Sequence, residues 1–504
     1  MENSKKGNYY GQIIKYTGLF GGVQSLNILV GLVRNKLVAM LLGPLGMGLA
    51  SLFSSSVKLV SDTTGFGLGM SAVREISEAY NRGKAPEVAR YAMIIRSWSL
   101  VAALLGTVVF AMLSPVLDGI SYSWGKHTLH FLLLSPMVGM MAVSTGEMAI
   151  LKGTRMMKAL AVSSFVSVLA ALVISVPLYW FFGIKAVVPS LVLVCLAQTV
   201  AVMAPSCRRY PYRVSLGWSM LSQGTGIVRL GVAFVFAGFV GSGAEFAVRS
   251  YINYVDSETA VGLYNAVYVL VVSYAGMVFN ALEADYFPRL SAVCLSGGNI
   301  NDVVNRQAEV LVLLVSPMVV AFVFSVPVVL PLLFSSKFLP VLSMIQVAAM
   351  SIFFRALYLP VEYMTLANGH SVSFCILEGV NGLCMVVSVL VGYNAGALFG
   401  AGVGIALSSA IEVAVSYTFV HFKYGYCVSA QLLRLVAVLL PLVLLSMLLP
   451  CIDGMSAYCA LGIALLVASG TFSLVVLDRK VRLVSVVKDK LAFGKRKRTG
   501  GHGV

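Results

Sequence analysis

Basic residues inside apolar runs are where this sequence could do chemistry. Arg34, Lys36, Lys58, Arg229 and Arg355 each lie within, or at the edge of, an apolar stretch long enough to cross a bilayer. At a helix centre in lipid such a residue costs about 2.5–3.5 kcal/mol, so it tends to face a wet cavity or an opposite charge. Drawn from both halves of the chain, the five are expected to line a cationic cavity. A guanidinium forks onto phosphate oxygens and a lysine adds a point charge. The expected ligand is therefore an anionic head group, and a diphosphate fits well.

Five acids in the same stretches, Asp62, Glu147, Glu362, Glu378 and Glu412, form the candidate ion-coupling set. A carboxylate at membrane depth can carry a transported proton or pair with a base. Lys58 and Asp62 are one helical turn apart, which suits a local pair. Arg355 and Glu362 are two turns apart and near one face. Glu378 and Glu412 can also pair with Arg355. Glu147 sits close to Lys152 and Arg155, where an interfacial role is as well supported as coupling. Tyr264, Tyr268, Tyr274, Tyr358 and Tyr363 lie near these spans and can stack on sugars or simply pack.

The elements that must position these residues are membrane helices. Of 504 residues, 59% are hydrophobic and only 11% charged, where a soluble chain carries roughly 25% charged. Lipid demands that backbone polar groups be satisfied within the segment, so long apolar runs imply helices. About fourteen spans are expected, near 12–42, 46–67, 97–117, 129–150, 159–182, 186–206, 218–240, 259–282, 309–333, 339–366, 372–393, 398–421, 432–450 and 456–477. The fold class is all-α and polytopic.

Loop charge orients the chain. With the N-terminus inside, about 26 Lys and Arg fall on the inner side and about four (Lys126, Lys185, Arg249, Lys337) on the outer. Both ends are then cytoplasmic, and Lys495-Arg496-Lys497-Arg498 reads as an anchor beside anionic lipid rather than a nucleic-acid patch. The net charge of +16 has the same explanation. The longest outer loop, about 241–258, is too short for a folded domain. Segment 71–96, partly amphipathic through Val73, Ile76 and Tyr80, is expected along the inner surface. The 8 cysteines are scattered without a C-x-x-C pair, so neither a metal site nor a disulfide framework is expected. Five histidines form no base–nucleophile constellation, so an enzyme is not expected.

The halves echo each other. Gly31-Leu32-Val33-Arg34 recurs as Gly226-Ile227-Val228-Arg229, Met47-Gly48-Leu49 as Val261-Gly262-Leu263, and Glu147 with Leu151 as Glu362 with Leu366. Two pseudo-symmetric six-helix lobes plus two extra C-terminal helices follow. Their expected bounds are 1–210, 211–425 and 426–480, with a basic tail over 481–504.

The stretch from Gly31 through Arg34 to Ala39, then Leu42-Gly43-Pro44 and Gly46-Met47-Gly48, resembles the opening of polysaccharide flippases. Gly65-Phe66-Gly67, Ala72-Val73-Arg74-Glu75-Ile76 and Tyr286-Phe287-Pro288-Arg289-Leu290-Ser291 are also similar to that family. It is the Wzx-type branch of the multidrug/oligosaccharidyl-lipid/polysaccharide exporter superfamily. The resemblance implies alternating access and a polyprenyl-diphosphate-linked oligosaccharide of O-antigen or capsule as cargo. It further implies the bacterial inner membrane, and as partners membrane lipids and the polymerase and glycosyltransferases of the same pathway. No cofactor is expected, and coupling to an H+ or Na+ gradient remains open. Arg34 matches an arginine of related lipid II flippases. Their arginine early in the eighth span has no counterpart in Leu263-Tyr264-Asn265-Ala266-Val267-Tyr268, which argues against lipid II. A cation-coupled drug antiporter is the other alternative. It would need an acid-dominated cavity.

Overall fold

The computed structural model describes residues 2–83, 85–121, 127–296, 298–449, 452 and 454–481. The basic tail beyond Val481 lies outside the described residues. Helices account for nearly all of them, and no strand occurs among them. The chain is a multi-pass α-helical membrane protein.

In chain order the helices are α1 (Glu2–Thr64), α2 (Leu68–Asn81), α3 (Ala85–Ser121), α4 (Thr128–Gly153), α5 (Met157–Phe182), α6 (Val187–Arg209), α7 (Trp218–Gln223) and α8 (Thr225–Val255). There follow α9 (Glu258–Tyr268), α10 (Ala275–Leu295), α11 (Ile300–Leu333), α12 (Leu342–Ala348), α13 (Met350–Ala367), α14 (Ser371–Tyr424), α15 (Ala430–Ser446) and α16 (Met455–Val481). The expected spans fall in helical sequence, though several are split between helices or joined as limbs of one. The first two spans are the limbs of α1, parted at Gly43 with φ of 63°. Glycine alone reaches that region at no cost, and Pro44 then opens the next limb at a position where its missing N–H does no harm. The eleventh and twelfth are limbs of α14, parted at Gly396 and Ala397. The eighth is α9 and α10, joined through a π-helical stretch, Val269–Tyr274.

The seventh span differs from expectation. Trp218–Gln223 is a short separate helix, and the span itself is α8, which runs to Val255. Gly238, Gly241 and Gly243 look like a helix end but continue the helix. Glycine is more frequent in membrane helices than in soluble ones. The expected outer loop of 241–258 therefore shrinks to two residues, Asp256 and Ser257, between α8 and α9.

By packing, the chain forms two units. The first holds Met1–Ala266 with Val329–Pro340 and Glu378–Leu390. Its inner core joins Leu68, Ala72, Ile76 and Ala79 of α2, one stripe at helical spacing, to Ile95 of α3 and Ile150 of α4. The apolar face expected on the membrane surface is thus spent inside the protein, while Tyr80 stays exposed. The second unit holds Val267–Val328, Val341–Leu377 and Val391–Val504. Its core draws on α11, α13, α15 and α16 together. Tyr458 of α16 stacks on Phe324 of α11 and donates to its carbonyl at 2.8 Å.

One close approach joins the second limb of α1 to α9. A Cβ on Gly48 would stand 1.8 Å from the carbonyl oxygen of Glu258, and a Cβ on Gly262 would stand 1.8 Å from that of Pro44. Each glycine faces the carbonyl four residues before the other, so the contact is reciprocal. The Gly48→Val variant is expected to force the second limb of α1 away from α9. It should cost at least about 1–3 kcal/mol of stability, the usual range for overpacking. A thermal melt of the purified protein checks this, and an unchanged midpoint would contradict the contact.

Candidate functional site

Three basic side chains meet in the first unit. A cavity of about 250 Å³ is lined by Arg34, Asn35, Lys58, Glu245, Arg249 and Asn265, with Tyr179 at its wall. Arg34 comes from the first limb of α1 and Lys58 from the second. Arg249 and Glu245 share one face of α8 a turn apart. Arg34 Nε donates to Ser175 Oγ on α5 at 3.2 Å. Lys58 Nζ donates to Glu245 Oε1 at 2.7 Å. Arg249 Nη1 donates to Glu245 Oε2 at 3.3 Å, and its Nη2 to Asn265 Oδ1, also at 3.3 Å. Glu245 therefore bridges two cations. Arg249 is buried, whereas the Lys58 side chain keeps 46% of its surface open and Glu245 keeps 18%. Asp62 stands nearby, facing Lys58, Ser242 and Glu245. With two bases held by one bridging acid and Arg34 beside them, the cavity is suited to an anion that brings several oxygens at once.

Of the residues the sequence singled out, Arg34 and Lys58 line this cavity and Asp62 stands beside it. Lys58 pairs with Glu245 from a distant part of the chain rather than with Asp62. Lys36 is half-buried and donates to the carbonyl of Pro331 at 2.6 Å. Arg229 falls in the second turn of α8 and is exposed, because α8 begins at Thr225 rather than at Trp218. Arg249, counted from sequence as an outer-loop charge, takes the interior place instead.

Glu147 is buried rather than interfacial, and Arg96 grips both of its carboxylate oxygens at 2.6 and 3.0 Å. Arg96 donates further to the carbonyls of Tyr210 and Pro211 at 3.0 and 2.8 Å and lies 5.0 Å from the ring centroid of Tyr212. This buried pair ties α3 and α4 to the segment after α6. Ion coupling would require Glu147 to leave that clamp.

In the second unit, Arg355 is half-buried with its guanidinium 5.2 Å from the ring centroid of Phe279 and Gly276 alongside. Among the described residues its Nε has no hydrogen-bond partner. A cation over an aromatic face is favourable by about 0.5–2 kcal/mol and suits a base away from acids. Glu362 and Glu412 are buried and Glu378 half-buried. Tyr264 and Tyr358 are buried, and Tyr363 packs on Tyr286 and Phe287.

Sequence comparison places this geometry. Residues 13–293, more than half the chain, match the family described as polysaccharide biosynthesis protein. The chain belongs to that family. No curated relative matches it by sequence. Among solved structures it is similar to the lipid II flippase MurJ in an inward closed conformation. The TM-score is 0.67 at 14% identity, covering 92% of this chain and 99% of that one. It is also similar to a multidrug resistance MATE transporter of the MOP superfamily in an inward-facing conformation. That TM-score is 0.65 at 14% identity, covering 79% and 94%. A MATE structure in a bent conformation gives a TM-score of 0.55 at 13% identity, covering 81% and 95%. At such identities the likeness establishes the fold, and the family member shares it with transporters of that superfamily.

Proposed function

We propose that this protein is a flippase for polyprenyl-diphosphate-linked oligosaccharide repeat units of O-antigen or capsule. The observation that carries the proposal is the convergence of Arg34, Lys58 and Arg249 on one cavity. At membrane depth each base costs about 2.5–3.5 kcal/mol unless something compensates it. A diphosphate offers the oxygens that forked guanidinium donors fit, and Asn35 and Asn265 add neutral polar groups beside them. The polyprenyl tail stays in lipid while the sugar diphosphate occupies the cavity, and access alternates between the two faces of the bacterial inner membrane. Both termini are cytoplasmic in this scheme, and an H+ or Na+ gradient drives the cycle. A cation-coupled drug antiporter fits less well, since bases outnumber acids where the cargo would sit.

Reconstitution tests it. Vesicles holding the purified protein are expected to move a fluorescent polyprenyl-diphosphate sugar between leaflets, measured by dithionite quenching. Vesicles with the Arg34→Gln, Lys58→Gln variant should be near the protein-free rate. Equal rates for both proteins would contradict the assignment. Export of a cationic dye by the same vesicles would favour the antiporter.

A further inference from the structure

We propose that Glu245 is a built-in stand-in for the cargo phosphate, holding the cavity's cations while it is empty and giving them up when an anion enters. This rests on the proposed diphosphate cavity and names a residue that sets its selectivity. The carboxylate lies in the cavity wall with its two oxygens on two different bases, Oε1 on Lys58 at 2.7 Å and Oε2 on Arg249 at 3.3 Å. Two oxygens bridging a lysine and an arginine reproduce the way a phosphate would be held.

Charge requires such a group. Arg34, Lys58 and Arg249 together would leave an empty cavity strongly cationic inside the membrane, which is costly. Glu245 offsets part of that charge, with Asp62 beside it. The exchange is also physically available. The bridge is not sealed in the protein, since the Lys58 side chain is 46% exposed. Charge pairs open to water contribute only about 0.2–1 kcal/mol, so an incoming dianion can outcompete one. Lys58 sits on a flexible stem and can follow the incoming oxygen, whereas Arg249 is also held by Asn265 and by the Glu245 backbone carbonyl at 3.1 Å. Lys58 is therefore the base that transfers from Glu245 to cargo. A monoanion that satisfies a single base gains less from the exchange, so the bridge favours cargo with two charged phosphates.

Substitutions at the two ends of the pair separate this from a structural role. The probe is inorganic pyrophosphate, titrated into the purified protein in nanodiscs by calorimetry. Glu245→Gln removes the competitor and is expected to bind about fivefold tighter than wild type, while Lys58→Gln binds several-fold weaker. Flipping should split the same way. Glu245→Gln is expected to lower the apparent KM for lipid-linked sugar and to lower kcat, because the empty cavity returns without its counter-charge. If the pair merely joins helices, both variants weaken binding, and that result overturns the proposal. Binding by wild type and by Glu245→Gln with equal affinity overturns it too, leaving the cavity assignment intact. Binding by neither overturns both. Glu245→Asp keeps the charge on a shorter stem, and its affinity should fall between wild type and Glu245→Gln; an affinity outside that interval counts against the proposal.

Discussion

Replacing Glu147 with alanine is expected to destabilise the protein by about 3–5 kcal/mol. The side chains of Arg96 and Glu147 are only 3% and 1% exposed. Removing the carboxylate strands a guanidinium with no water to turn to, and an uncompensated buried charge costs far more than the pair contributes. The companion variant Arg96→Met, Glu147→Leu should recover most of the loss, because similar volume without charge leaves nothing unpaired. It will not restore the hydrogen bonds that Arg96 donates to the Tyr210 and Pro211 carbonyls in the segment after α6. Thermal melts of the purified variants give the first comparison, and protease sensitivity over 210–217 gives the second. A Glu147→Ala protein that melts with wild type would show that the pair carries no stability.

The second large effect separates two arginines on one helix. Arg249→Gln is expected to reduce flipping by about ten- to a hundredfold, the equivalent of a charge-assisted hydrogen bond worth about 1.5–3 kcal/mol. Arg229→Gln should stay within about twofold of wild type, because its side chain is exposed near the start of α8. Both are read as initial rates in the same reconstituted vesicles. The opposite ranking would return the role to Arg229 and remove Arg249 from the cargo site.

These residues show where sequence reasoning stopped. An arginine followed by further charge and an aspartate, just after Gly238, Gly241 and Gly243, carries the signature of a loop in water. Arg249 counts as an outer-loop charge for that reason. In lipid the helix continues through glycine, and Glu245 and Arg249 become an i,i+4 pair facing a cavity. Arg96, which the sequence places near the end of the inner segment 71–96, is likewise buried against Glu147.

What the sequence determined alone was the class of the elements: long apolar helices, with turns at Gly43-Pro44 and between the eleventh and twelfth spans. Hydropathy is additive along the chain, and a backbone in lipid has few alternatives to a helix. The tertiary structure alone decided partners. Which acid holds Lys58, which arginine shares a cavity with Arg34, and which base grips Glu147 all depend on how helices far apart in sequence pack. At the crossing of Gly48 and Gly262, for instance, that packing turns on contact distances of single atoms, and no local pattern encodes them.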